Sequence, residues 1–405
     1  MSVTYDDIAA ARDRIAAVVD VTPCPRSDAL SELTGCRIFC KLDYLQQTGS
    51  FKERGGANAL MQLDKAQRAR GVIAASAGNH ALALACHGRR LGIAVTVVMP
   101  RFSPLIKVAT CRRYGAHVVL HGDDFDAARA HALQRRDRDG LTYIHGFDDP
   151  AIIAGQGTLA LEVLEQVPDV EAIIIPIGGG GLIAGASLAI KHLRPDVEVI
   201  GVEAANAANY AAAVAAGKPV RIDVRPTLAD GLAVGKVGEL AFEIAQQHVN
   251  RTVTVEENQL ALAILRLLEM EKSVVEGAAA SALAALLAGK LPELGGRHVV
   301  LALCGGNIDP ALLGRVIEHG MVVDGRLCRF TATISDRPGG LERFAHVVAE
   351  QGASIKHIVH DRAFSGPDVS TVRVACIAET SDHEHARRLY AALDEAGYDV
   401  REASV

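Results

Sequence analysis

Between about residues 70 and 310, short β-branched runs alternate with Ala- and Leu-rich stretches of helical period. GVIAAS leads into a helix from Asn79, AVTVVM into one from Pro104, and AHVVLH into one from Asp124. AIIIPI, VEVIGVE and HVVLALCGG follow, with a helix after Gly181 and a long one from about Glu257. Strands separated by helices of about ten or more residues need crossover connections, and crossovers build a largely parallel, doubly wound sheet. The runs IIIPI and VVLAL carry no charge, as strands covered on both faces require. The predicted class is α/β, whose ligands bind beyond the carboxyl ends of the strands, where this chain places its glycines.

After His319 the texture changes. GMVVDGRLCRFTATISD alternates as a half-buried strand, Arg337-Pro338-Gly339-Gly340 turns into a helix running to Gly352, and strand-like runs follow at 354–361 and 370–378. A second helix from about Asp382 and a last strand, YDVREA, complete a β-α-β-β-α-β order. The chain is therefore expected to hold a large domain over 1–320, with a smaller lobe over about 50–150, and a small α+β domain over 326–405.

Charge and composition remove several function classes. With 42 Lys+Arg against 48 Asp+Glu, a net charge of −6, and no basic stripe, nucleic acid is not an expected partner. At 4% aromatics and no Trp there is no platform for stacking bases. The longest uncharged stretch, 172–190, is broken by Pro176 and four glycines, so no membrane helix is expected. The N-terminal MSVTYDDIAAARDRIAAVV has no uninterrupted apolar core, which predicts no signal peptide and a cytoplasmic chain. Eight cysteines without C-x-x-C or zinc spacing read as reduced, buried thiols.

Four segments carry candidate chemistry, each with a bland alternative. Thr48-Gly49-Ser50-Phe51-Lys52-Glu53-Arg54-Gly55-Gly56 places a lysine at the start of a helix. The positive end of the helix dipole and Arg54 disfavour its ammonium form, which makes the amine nucleophilic; otherwise Lys52 is an ordinary exposed lysine. Ser76-Ala77-Gly78-Asn79-His80 follows a strand and opens a helix, an arrangement suited to a carboxylate or, equally, to an N-cap with a satisfied histidine. Gly178, Gly179, Gly180 and Gly181 enter a helix as a phosphate cradle would, more glycine than a packing turn needs. Cys304-Gly305-Gly306-Asn307 sets a thiol at a strand end, where a structural cysteine would also sit. Ile183 breaks a G-x-G-x-x-G pattern, but Glu203 ends the next strand near ribose-binding spacing, so a nicotinamide-dependent oxidoreductase remains an alternative.

S-F-K-x-R-G, S-A-G-N-H-A, G-G-G-G-L and C-G-G-N stand in the order and with spacings like those of the serine/threonine dehydratases. T-L-A-D-G-L-A-V (227–234) and V-V-E-G-A (274–278) also look like that family's segments. Over about residues 5–320 the chain thus resembles the pyridoxal phosphate-dependent enzymes of the tryptophan-synthase-β-like class, fold type II. The resemblance implies that Lys52 is the Schiff-base lysine and general base, with Phe51 beside the cofactor ring and Asn79 bonded to its phenolic oxygen. It implies that Gly178 to Gly181 hold the cofactor phosphate, that Cys304 faces the pyridine nitrogen, and that Ser76, Asn79 and His80 grip the substrate carboxylate. The implied reaction is β-elimination from L-threonine and L-serine to 2-oxobutanoate or pyruvate and ammonia, with threonine preferred. Serine racemase and 3-hydroxyaspartate dehydratase are the alternatives within the family. Racemases of the class have a serine at the position of Ala77, which favours the lyase. Glu203 and Asn209 match a region where some relatives bind a divalent cation, here with an amide in place of the second acid, so no metal is expected.

Beyond residue 325 the strand order and Ser335-Asp336-Arg337-Pro338-Gly339-Gly340-Leu341 resemble an ACT domain, although Ser354 stands where such domains often have asparagine. That resemblance implies an amino-acid effector bound near Asp336 to Leu341 and a homo-oligomer, dimer or tetramer; a packing appendage without ligand is the alternative.

Overall fold

The computed structural model describes residues 2–361 and 370–402, which group into two compact units, Met1–Ile308 and Asp309–Val405. The larger unit holds two sheets. One has six strands in the order Arg26–Ser27, Arg37–Lys41, His298–Ala302, Ala172–Pro176, Glu198–Ala204, Arg251–Val255. All its neighbours are parallel except the first pair. The other has four parallel strands in the order His117–Leu120, Val95–Met99, Val72–Ala75, Thr142–Tyr143. Each central strand is buried on both faces, as its uncharged sequence demands: every residue of Ala172–Pro176 and Val72–Ala75 is buried. The doubly wound α/β class is therefore the architecture observed.

Helices begin where local chemistry starts them. Asp124 caps Phe125–Asp139 through the Ala127 N–H, and Asp149 caps Pro150–Gln166, with proline at the first position where no N–H is needed. Helix Lys52–Met61 is fixed from below. Arg54, 1% exposed, bonds Asp43 (2.7 and 2.8 Å) and Glu162 (2.5 and 2.8 Å), and Lys41 reaches the same Glu162 at 2.5 Å. Burial works against ionisation of Asp43, but the Arg54 guanidinium outweighs it and holds the carboxyl below its ordinary range. The network joins helix Lys52–Met61 to helix Pro150–Gln166 and to the turn after strand Arg37–Lys41.

The smaller unit is a four-stranded antiparallel sheet in the order Ser354–Asp361, Thr371–Glu379, Leu327–Ser335, Asp399–Glu402. Helices Gly340–Glu350 and His383–Glu395 complete the expected β-α-β-β-α-β order around Phe330, Phe344, Leu389 and Leu393. Ala403 of the expected last strand lies outside the described residues. Two expectations need correction. The run from Gly320 is not strand at its start, because Asp309 and Pro310 begin a helix that continues through Val323; Gly325, at φ 71°, then breaks the chain ahead of the strand at Leu327. That helix, Pro310–Val323, also groups with the smaller unit, so the large one ends at Ile308.

Removing one ion from a buried network strands its partners, at a cost of about 3–5 kcal/mol. Asp43→Asn is expected to lose that much in chemical denaturation, and a loss below about 1 kcal/mol would show that the network is solvated.

Candidate functional site

Turns at the carboxyl ends of both parallel sheets close on one cleft of about 680 Å³. Phe51, Lys52, Ser76, Asn79, His80, Gly178, Gly179, Gly180, Gly181 and Cys304 all line it. Residues spread over 250 positions of sequence are thus gathered at one place, whereas Glu203 and Asn209 lie outside the lining.

Lys52 is the first residue of its helix. Its Nζ donates to the Gly146 carbonyl at 2.8 Å and stands 5.0 Å from the Phe51 ring centre. Burial pushes its pKa down to about 8, against smaller upward effects of Cys304 and Glu276. The cause differs from the one the sequence suggested: Arg54 points away into its carboxylates, and desolvation lowers the lysine.

The glycine turn has the polarity of an anion cradle. The carbonyls of Gly178, Gly179 and Gly180 accept from Asn209 Nδ2 (3.0 Å), Gly238 N (3.1 Å) and Ala184 N (2.9 Å). The N–H groups of Gly178, Gly179 and Gly180 have no partner among the described residues, and helix Gly181–Leu193 starts behind them without a side-chain cap. Free donors and the positive end of a helix suit a phosphate. Packing demands glycine here as well, since a Cβ on Gly179 would come within 2.2 Å of the Phe147 ring. The turn therefore suits the phosphate of a ligand in the cleft that Lys52 also lines.

Helix Asn79–Leu91 also begins without a side-chain cap, and the N–H groups of Asn79 and His80 have no partner among the described residues. They are donors for a carboxylate. The Ser76 hydroxyl accepts from Gly78 N at 3.2 Å and shapes the turn. The His80 side chain is placed differently from the expected grip. Its Nε2 lies 3.2 Å from the Ile144 carbonyl and so carries the proton. Burial, with Lys52 nearby, lowers its pKa to about 3, leaving Nδ1 an acceptor that cannot donate to a carboxylate.

Asn79 is held by residues that the motif reading passed over. Its Nδ2 donates to Glu276 at 2.8 Å, and its Oδ1 accepts from Asn307 Nδ2 at 2.9 Å, which also bonds the Thr48 carbonyl at 2.7 Å. Glu276 rests on the Cys304-Gly305 turn, where a Cβ on Gly305 would meet its Oε1 at 2.2 Å. Burial and the like charge of Asp230 raise the Glu276 pKa to about 7, partly offset by Lys107 and Asn79. Burial likewise drives the Cys304 thiol well above its ordinary value, so it keeps its proton. Asn307 and Glu276 each stood inside a recognised segment, C-G-G-N and V-V-E-G-A, without a role of its own; His145, by contrast, had no sequence signal.

Glu203 does not offer itself to a ribose. Both its oxygens accept backbone N–H groups, Tyr210 at 2.7 Å and Ala211 at 2.9 Å, and burial raises its pKa to about 7. It caps the helix that starts at Asn209, whose amide pins the Gly178 and Val234 carbonyls. The pair braces the cradle from behind. Among the described residues, no group of three His, Cys, Asp or Glu side chains is arranged to hold a metal.

A family model described as pyridoxal-phosphate dependent enzyme matches residues 15–305. An L-threonine ammonia-lyase of Thermotoga maritima is 42% identical over 399 residues, 98% of this chain and 99% of the relative. The solved structure of the processed form of threonine deaminase isoform 2 from Solanum lycopersicum superposes with a TM-score of 0.74 at 34% identity, covering 80% of this chain and 91% of that one. The structure of maize serine racemase gives 0.75 at 32%, over 80% and 99%. The fold is thus like that of lyases and racemases alike.

Glu276 supplies a pH test. A carboxyl whose folded pKa is raised favours folding below its unfolded value, about 4.5, and that contribution is gone once pH passes about 7. Glu276→Gln, which cannot ionise, should match the parent below pH 4.5 and exceed its stability by about 3 kcal/mol above pH 7. A pH-independent difference would show that Glu276 is not buried as a neutral acid.

Proposed function

Because the chain belongs to the family of pyridoxal-phosphate dependent enzymes, we propose that it is an L-threonine ammonia-lyase that also accepts L-serine. The observation that carries this is Lys52: a half-buried amine whose desolvation lowers its pKa to about 8, set between an anion cradle and an uncapped helix N-terminus. The bound cofactor supplies an electron sink for the substrate's α-carbon. This chain's residues supply the rest. Near neutral pH a useful fraction of Lys52 is free base, able to tether the cofactor and, once released, to take the α-proton. The N–H groups of Asn79 and His80 receive the substrate carboxylate. Gly178 to Gly181 would hold the phosphate, Asn79 and Phe51 would fix the ring, and Cys304 would offer the ring nitrogen a neutral thiol, which suits elimination better than transamination.

Ala77 lines the cleft and has no proton to give, which supports lyase over racemase. The eight cysteines are all unpaired and buried, as a reducing, cytoplasmic compartment permits. For the second unit the reading is an ACT-like regulatory module of a homo-oligomer, dimer or tetramer, with an amino acid received at the turn before helix Gly340–Glu350. An effector there regulates only if it binds two states of the enzyme unequally.

Oxo-acid release assayed with threonine, serine and 3-hydroxyaspartate should rank threonine first, with D-serine negligible by chiral chromatography. Comparable D-serine would make the protein a racemase. Lys52→Ala should lose oxo-acid formation by about a thousandfold or more, and near-normal turnover would refute its role. Branched-chain or substrate-like amino acids should shift the substrate curve of the full chain but not of a chain ending at Ile308; identical curves would make the second unit structural.

A further inference from the structure

We propose that His145 hydrogen-bonds the β-hydroxyl of the substrate through its Nε2–H and so selects β-hydroxy amino acids; the inference rests on the lyase reading above. His145 lines the cleft in the turn that follows strand Thr142–Tyr143. Consecutive residues of that turn touch separate parts of the site. The Ile144 carbonyl is 3.2 Å from His80 Nε2, the Gly146 carbonyl accepts from Lys52 Nζ at 2.8 Å, and the Phe147 ring covers Gly179 of the cradle. His145 therefore sits in the turn between the residue that holds the lysine amine and the ring that covers the phosphate cradle, with His80 of helix Asn79–Leu91 packed beside the same turn.

Its orientation is set by its own turn. Nδ1 accepts the N–H groups of Asp148 at 2.9 Å and Phe147 at 3.3 Å, so in the neutral ring the proton is on Nε2. The ring packs edge-on to Phe147 and Tyr143, with centroids 4.6 and 6.1 Å away. Burial, with Arg129 and Lys52, keeps the imidazole neutral against the pull of Asp148, its pKa falling to about 4. Nε2–H has no partner among the described residues. A β-hydroxy amino acid brings three polar groups: the carboxylate goes to the helix N-terminus, the amine to the lysine's place, and the hydroxyl needs a donor near the phosphate, where this one stands. As the C–O bond breaks, the same N–H stabilises charge gathering on the departing oxygen.

Two substitutions separate this role from simple bracing of the turn. His145→Asn places a carbonyl near Nδ1, keeping the brace and losing the donor; His145→Gln places an amide N–H near Nε2 and loses the brace. The kcat/KM for L-threonine is measured alongside the affinity for L-2-aminobutyrate, which lacks the hydroxyl, read from the visible absorption of the bound cofactor. His145→Asn should lower kcat/KM about tenfold or more, leave 2-aminobutyrate binding within about twofold, and be surpassed by His145→Gln. Equal weakening toward both ligands, an unaffected His145→Asn, or a Gln variant worse than Asn would each overturn the proposal. If the parent protein binds 2-aminobutyrate yet releases no oxo acid from threonine, the lyase reading fails instead, and this inference with it.

Discussion

The site depends on a buried charge network two residues away from its lysine. Arg54, between Asp43 and Glu162 with Lys41 on the far side of Glu162, brings two cations and two anions out of water together. Such a set balances only when complete, so it fixes helix Lys52–Met61 in one position against helix Pro150–Gln166. Lys52, at the head of that helix, is held by the same constraint. Beside it, Glu53 accepts the Thr48 N–H and pairs with His87 at 2.9 Å, joining the lysine turn to helix Asn79–Leu91. The amine, the carboxylate donors and Asn79 are therefore parts of one brace.

Above this charged floor the cleft does the opposite. Burial is the first cause of the shift at Lys52, His80, His145, Glu276 and Cys304, and in each case it favours the uncharged form. What remains to meet a charged ligand is oriented dipoles: the N–H groups of the glycine turn and of the helix start at Asn79. In a site of low dielectric, fixed dipoles stabilise charge without having to reorganise. Among the described residues that line the cleft, Lys107 pairs with Asp230 at 2.9 Å, Arg221 with Asp126, and Lys236 with Glu239 at 2.6 Å.

Much of this was legible in the sequence because it is periodic or local. Alternating β-branched and Ala/Leu runs specify the parallel sheets, and the turn residues at 76–80, 178–181 and 304–307 mark where the sheets open onto the cleft. What escaped is tertiary. Glu203 looked like a ribose ligand by spacing, but its oxygens are consumed by a helix start that only the fold brings near. His80 looked like a donor to substrate, yet the Ile144 carbonyl claims its proton. The low pKa of Lys52 was legible in direction but not in cause, since burial depends on both lobes. The alternation through Gly320–Val323 resembled strand because a short apolar run fits either period, and the helix start at Asp309 outweighed it.

The central claim is that Lys52 is the residue to which the cofactor is attached. The full-length protein saturated with pyridoxal phosphate, reduced with borohydride and digested, is read by mass spectrometry of its peptides. The account predicts one pyridoxyl group, on the peptide containing Lys52, with the visible colour bleached as it forms. Label on another lysine, or a protein that takes up none, would contradict it.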